Sequence, residues 1–597
     1  METTTTTPFS STPSRWSLDD LLAGPDDPAL LEFVAEINEL STGLEAARPE
    51  LTPEISASRF LKLLQAFEAI RSLSSRLSGY AYLWFSEDTQ NSAALNLRSR
   101  LDRILTEAGN RTLFFSLWFK DLPDDAAQRL IDASGDLKYF LESMRRFQPY
   151  TLSEPEEKIV NVKDLNGIDA LVNVYEMVTN RFSFTLEVDG EQKTLTRDQL
   201  TAYYYHPSPD VRAATYQELY RVFADNATLL AQIYTHRVRD WHSEAVELRG
   251  YSSPISVRNV ANDLPDSVVE TLLEVCRHNI GLFQRYFRLK ARWLGTEKLR
   301  RYDIYAPLAR SQKTYPIDQA MDLVMSSFHE FSPRLAELAR RVIDQDHLDS
   351  ETRPGKRGGA FCYSALPSLT PWVMVNYSGL ADDVATLAHE LGHAMHSMLA
   401  ADHSVLTFHP PLPLAETASV FAEMLLTERL LKEETDPDVR RDLLSHAVGD
   451  AFATVQRQAF FALFERDAHR MIVADEPIDA LAAQYWSNLT EQFGDSVELY
   501  DEFKWEWISI PHFYNAPFYT YAYSFGQLIV LALYQQYRQE GEPFKERYFR
   551  ILSYGGSAAP AAILEEAGLD MASPAFWQGG FDALDDLIKE LERMEAG

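Results

Sequence analysis

From about residue 17 to 178, apolar side chains recur at three- and four-residue spacing, as in Phe60, Leu63, Leu64, Phe67 and Ile70. Proline and glycine are scarce inside the runs. A chain with that period buries its apolar stripe only by stacking amphipathic helices, so the expected fold class is mostly α-helical. Before it, residues 1–14 are rich in Thr, Ser and Pro and are expected to be a disordered tail. The period changes to two at Phe182–Val188, meets Asp189-Gly190 and resumes at Lys193–Leu195, a β-hairpin signal. We place the end of an N-terminal helical domain (15–197) there, with a second domain over 198–597. Helical spacing returns from Asp198 and breaks near Pro254, Pro265 and Pro316. It fails again over Thr352–Asp382, where Trp372–Tyr377 predicts a small β element ahead of the next helix. No repeat of fixed period is present.

Composition narrows the functions available. With 46% hydrophobic residues among 597 the chain can build a large core, and 56 Lys+Arg against 88 Asp+Glu give a net charge of −32. Such a surface repels phosphate backbones and anionic lipids, so neither nucleic acid nor membrane is an expected partner. Two cysteines, Cys276 and Cys362, are too few for a disulfide framework. The first residues lack the basic and apolar regions of a secretory signal, and apolar stretches such as Leu528–Tyr534 fall well short of the roughly 20 residues that span a bilayer. A cytoplasmic location is expected.

The chemistry is concentrated at Ala388-His389-Glu390-Leu391-Gly392-His393-Ala394-Met395-His396, an H-E-x-x-H motif in a helical pattern. Four-residue spacing puts His389 and His393 on one face, one turn apart, where two imidazoles can share a metal. A hydrolytic zinc site needs three protein ligands and an open position. His396 lies seven residues past His389, about 10 Å along a helix at ~1.5 Å per residue, which is too far to join them. It is assigned to supporting the ligands or lining the cleft. Glu416, in the run Leu414–Met424 after the Pro-rich segment His409–Pro413, is the better third ligand, because an acid among small and apolar residues is usually paired or metal-bound. Glu423, on the same face at i+7, suits the acceptor that orients a ligand imidazole. Glu390 is adjacent to a ligand without being one, which fits a general base. One zinc ion per chain is expected. A metzincin pattern is excluded, since it requires Gly at 396 and His at 399, where this chain has His396 and Leu399.

Pro511–Tyr523 gathers His512, Tyr519, Tyr521 and Tyr523, candidates for donors to an oxyanion or alternatively an aromatic core segment. The strand Trp372–Tyr377, with Asn376 among its substrate-binding candidates, could offer an edge to a peptide backbone.

Taken together, Val373–Gly379, Asp383–His396, Ala415-Glu416 with Glu423, and His512–Tyr521 resemble the thimet oligopeptidase family of zinc metallopeptidases, and within it the oligoendopeptidase F branch. Gly358 with Ala360-Phe361-Cys362, and Gly555-Gly556-Ser557 followed by Gly568-Leu569-Asp570, fit as well; the resemblance covers roughly residues 110–590. It implies a two-lobed helical ellipsoid around a deep channel, zinc on His389, His393 and Glu416, Glu390 as general base, and His512 and Tyr521 at the scissile carbonyl. Tyr514, Tyr519 and Tyr523 are the alternatives for that last role. The activity implied is zinc-dependent endopeptidase action on short peptides. Competing readings are carboxypeptidase-type exopeptidase action and a non-catalytic peptide-binding protein that holds zinc for structure.

Overall fold

A computed structural model describes residue 9, residues 11–308 and residues 314–596. Most of the tail read at residues 1–14 lies outside the described residues. Among those described, helices dominate and strands are few and short: β1 (Phe184–Val188), β2 (Glu191–Leu195), β3 (Leu299–Arg300), β4 (Leu348–Asp349), β5 (Phe361–Tyr363), β6 (Trp372–Met374) and β7 (Val497–Glu498). The mostly α-helical reading stands. No helix among the described residues is long and apolar enough to cross a membrane. The hairpin forms where its signal lies, Phe184 pairing with Leu195 and Val188 with Glu191. Asp189 and Gly190 both take positive φ, as the two-residue turn between twisted strands requires.

Internal packing divides the chain into two compact units, each assembled from three segments. The first comprises Met1–Gln148, Gln312–Glu433 and Gln536–Leu569; the second comprises Pro149–Ser311, Glu434–Gln535 and Asp570–Gly597.

In the first unit, helices Pro28–Ala46, Ala57–Glu87 and Ser92–Asp121 close around Phe60, Phe67, Phe115 and Phe119, and this core continues to Trp372 and Met374 in the sheet. That sheet has the order β4-β6-β5, with β6 parallel to β4 and antiparallel to β5. The N-terminal segment lies along the outer side of β4. Ser14 donates its hydroxyl to Leu348 O (2.8 Å) and accepts from Ser350 N (2.9 Å), while the Trp372 indole donates to Ser17 O (2.7 Å). On the other side, Tyr82 stacks on Tyr363 and Ser75 donates to Ala365 O (2.6 Å), bracing β5 from one flank. Among the described residues, no further strand pairs with the outer edge of β5.

The expected edge strand is therefore corrected. Trp372–Met374 is the central strand, buried at every position, with a partner on each side. The edge belongs to Phe361–Tyr363. Asn376 is likewise occupied with structure, donating to Arg357 O (2.9 Å) and Gly359 O (2.8 Å) and so shaping the turn that leads into β5.

Candidate metal centre and active site

The motif lies on helix Ala381–Leu399. Asp383 accepts from Ser378 N (2.8 Å) and Leu380 N (3.0 Å), tying the N-cap and the residues ahead of it to the first turn, where its charge also suits the helix dipole. One turn apart, His389 and His393 bring their Nε2 atoms to 3.2 Å of each other. Glu416 follows the short helix Leu412–Ala415, and its Oε2 lies 3.4 Å from His389 Nε2 and 3.5 Å from His393 Nε2.

Three donors at about 2.0–2.1 Å from a tetrahedral ion would be spaced by roughly 3.3–3.4 Å. The triangle observed, 3.2, 3.4 and 3.5 Å, fits one face of such a site. Two neutral imidazoles and a carboxylate are donors that zinc accepts.

Two of the donors have a second hydrogen-bond partner. His389 Nδ1 and Glu423 Oε1 share a hydrogen bond, which leaves Nε2 of that ring facing the triangle. Glu416 Oε2 accepts from the Ser419 hydroxyl at 2.8 Å, and the Ala415 carbonyl faces the His393 ring. Burial works against a proton on His389, but the bond to Glu423 and the charges of Glu423, Glu390 and Glu416 outweigh it and raise the imidazole to about 9. His393 moves the other way, to about 4, because it is buried and faces His389. Two Nε2 atoms at this separation cannot both carry protons; one proton or one cation can lie between them.

Gly392 sets the approach of Glu416. A Cβ there would lie 2.5 Å from Ser419 Cα and 2.7 Å from Ala418 O, so only glycine lets helix Ser419–Glu433 cross this closely. Behind the Glu416 loop, Gly555 and Gly556 sit against the backbone of residues 407–409, and Gly556 N donates to Thr407 O (2.8 Å).

Glu390 is 7% exposed beside the triangle. Burial, reinforced by Glu416 and Glu423, pushes its carboxyl up to about 7, although His389 and the Cys362 amide pull it down. It shares a cavity of about 370 Å³ with His393, His396, Ser397, Phe361 and His409, so the open side of β5 and the general-base candidate face the same space. His396 is not part of the triangle. It is buried, lines the cavity, and its Nδ1 has no hydrogen-bond partner, while burial and the neighbouring His393 depress its imidazole to about 3.

The aromatic segment belongs to the second unit and separates into two sets. His512, Tyr519 and Tyr523 are half-buried and mutually packed: His512 Nε2 is 3.2 Å from Tyr523 OH, and the Tyr519 ring lies 5.9 Å from His512 and 5.3 Å from Tyr523. Tyr514 and Tyr521 are fully buried. Tyr514 stacks on Tyr175 at 3.6 Å and donates to Ile508 O (3.2 Å), while Tyr521 OH accepts from Asn262 Nδ2 (2.9 Å). Tyr521, named with His512 as a candidate at the carbonyl, is thus buried, with its hydroxyl paired to Asn262. Tyr523, the alternative candidate, is half-buried and bonded to His512. Sequence reading missed Asn262 and the contribution of Gly392, although the glycine stands inside the motif itself.

Comparison with known proteins completes the picture. The family description "Peptidase family M3" matches residues 202–583. Oligopeptidase PepF of Bacillus subtilis is 26% identical over 592 residues, covering 97% of this chain and 87% of that protein. Oligoendopeptidase-F from Enterococcus faecium shares the fold with a TM-score of 0.72 at 24% identity, over 95% of this chain and 98% of that one. A crystal structure from Chlamydophila abortus gives a TM-score of 0.86, also at 24% identity, over 97% and 98%. The chain belongs to peptidase family M3. It is a metallo-oligopeptidase, an enzyme that hydrolyses oligopeptides.

Proposed function

We propose that this enzyme is a zinc-dependent endopeptidase that cleaves internal bonds of short peptides in the cytoplasm. The observation that carries the reading is the triangle of His389, His393 and Glu416 with Glu390 beside it. Zinc held by those three side chains would supply Lewis acidity and an acidified water. Glu390 takes the proton of the attacking water and hands it to the leaving amine, a task suited to a carboxyl raised towards neutrality. Glu423 keeps His389 in the tautomer that leaves Nε2 for the ion. A peptide backbone pairs with the open edge of β5, next to Glu390, as extended peptides add to sheet edges. His512 and Tyr523 donate to the oxygen on which negative charge develops.

The test is mass spectrometry of products from a pool of short and long peptides, run beside Glu390→Gln. The expected result is internal cleavage of the short peptides, with kcat lowered about 10²- to 10⁴-fold in the variant and zinc content unchanged. Release of single terminal residues would replace the reading with exopeptidase action. Undiminished turnover by the variant would remove Glu390 from the mechanism.

A further inference from the structure

Helix Arg457–Val473 carries Ala459-Phe460-Phe461-Ala462-Leu463-Phe464 and then, within the same apolar interior, Glu465 and His469 one turn apart. Both are buried to 1% exposure or less, with Glu465 Oε1 3.9 Å from His469 Nε2. Neither carboxyl oxygen, neither ring nitrogen, nor the hydroxyl of Tyr234 against the His469 ring completes a hydrogen bond. Apolar side chains would fill this space at lower cost, so the pair requires a reason.

The reason lies on the neighbouring turn. Five non-glycine residues among those described take positive φ; four are aspartates, and the fifth is Phe518, at φ 57°. A bulky residue is rare there unless its surroundings hold it. The Phe518 amide faces the Glu465 carboxyl, and the Phe518 ring packs on His469 with centroids 4.6 Å apart. On the same turn, Arg258 donates through Nε and Nη2 to Pro517 O (3.3 Å each) and Arg237 Nε donates to Tyr514 O (3.0 Å). Ser524 then donates to Val455 O (2.7 Å), a carbonyl in the π-helical turn Phe452–Gln456. Between these anchors stand Tyr519 and Tyr523, packed on His512.

We infer that Glu465, backed by His469, is a positioning residue for the reaction: it holds Phe518 in the left-handed backbone from which Tyr519 and Tyr523 are presented beside His512. This rests on the reading that His512 and Tyr523 meet the scissile carbonyl. Burial pushes the Glu465 carboxyl up to about 8, although the Phe518 amide, Arg258 and Arg237 pull it down. Burial lowers His469 to about 3, with Arg237 and His242 adding to the shift. Glutamine at 465 therefore reproduces the neutral side chain and keeps an acceptor for the amide. Methionine fills the volume with no acceptor.

The experiment measures kcat, KM, melting temperature and hydrogen exchange of residues 515–524 in the full-length enzyme. The variants are Glu465→Gln, Glu465→Met, Phe518→Gly, the Met/Gly double variant and His512→Phe. Glu465→Met is expected to keep or raise the melting temperature, lower kcat on the order of tenfold or more with little change in KM, and speed exchange in 515–524. Glu465→Gln stays within about threefold of wild type. Because glycine adopts positive φ freely, Phe518→Gly is expected to rescue the Met variant, so that the double loses less than the product of the singles. Wild-type kcat and exchange in Glu465→Met would overturn the inference, as would a kcat loss accompanied by unfolding and not rescued by Phe518→Gly. If Glu465→Met does not fold, exchange and kcat of Glu465→Gln decide, and a loss there comparable to that of His512→Phe overturns it. Unchanged kcat in His512→Phe would instead remove the catalytic reading of the cluster, and the exchange data would still judge Glu465.

Discussion

The metal triangle and the aromatic cluster hold their chemical groups by opposite means. At the triangle a helix fixes two donors by period alone, a glycine lets the third approach, and two of the donors are backed by a second hydrogen-bonding group, His389 by Glu423 and Glu416 by Ser419. In the aromatic cluster a turn does the placing, with Phe518 in an unfavourable backbone conformation and buried polar atoms of Glu465 and His469 left without full hydrogen bonds. Regular secondary structure carries geometry at no extra cost. An irregular segment must be gripped from outside, and the grip involves residues far away in the chain.

The sharpest way to break this comparison is at the tyrosines. Tyr523→Phe is expected to lower kcat about 10²- to 10³-fold, the usual cost of one oxyanion donor, while Tyr521→Phe, which only unpairs Asn262, costs a few-fold; steady-state kinetics on one peptide decides. Equal losses would return Tyr521 to the chemistry. Smaller is the effect of Glu423→Ala, expected to weaken zinc affinity roughly 10- to 100-fold in a competition titration against a chelator, since the ligand stays but its tautomer is no longer enforced. Smallest is a pH effect at Glu465. The folded carboxyl keeps its proton up to about 8, against 4.5 as the ordinary value. The folded state thus binds more protons between those limits, and its contribution to stability, complete below pH 4.5, is lost as pH rises through 8. Glutamine does not titrate, so the melting temperature of Glu465→Gln relative to wild type is expected to climb from pH 5 to pH 9. A constant difference would mean that the buried carboxyl is not protonated.

The same contrast explains what the sequence made legible. Helical period announced the fold class, and four-residue spacing brought His389 and His393 to one face. An acid among small residues pointed to Glu416, which lies within 3.5 Å of both imidazoles. The edge strand differs from the expectation for a physical reason: Trp372-Val373-Met374 is a wholly apolar run because it is sandwiched on both sides, whereas the strand at the edge, Phe361-Cys362-Tyr363, is only half-buried. Spacing could not rank the tyrosines, since alternate residues from 519 to 523 differ only in what packs against them. Glu465 did carry a signal, an acid closing the run Ala459–Phe464, of the same kind that singled out Glu416.

The bond between Ser14 and the outer side of β4 also sets a timetable for synthesis. Its partner Ser350 is 336 residues further along the chain. At ribosomal speeds of about 5–20 residues per second, that N-terminal segment waits roughly 17–67 s before its partner exists. The wait continues for the site itself, because Gly555 and Gly556, which back the Glu416 loop, are made later still. The loop that carries Glu416 thus gains its backing only when nearly all of the chain has been translated.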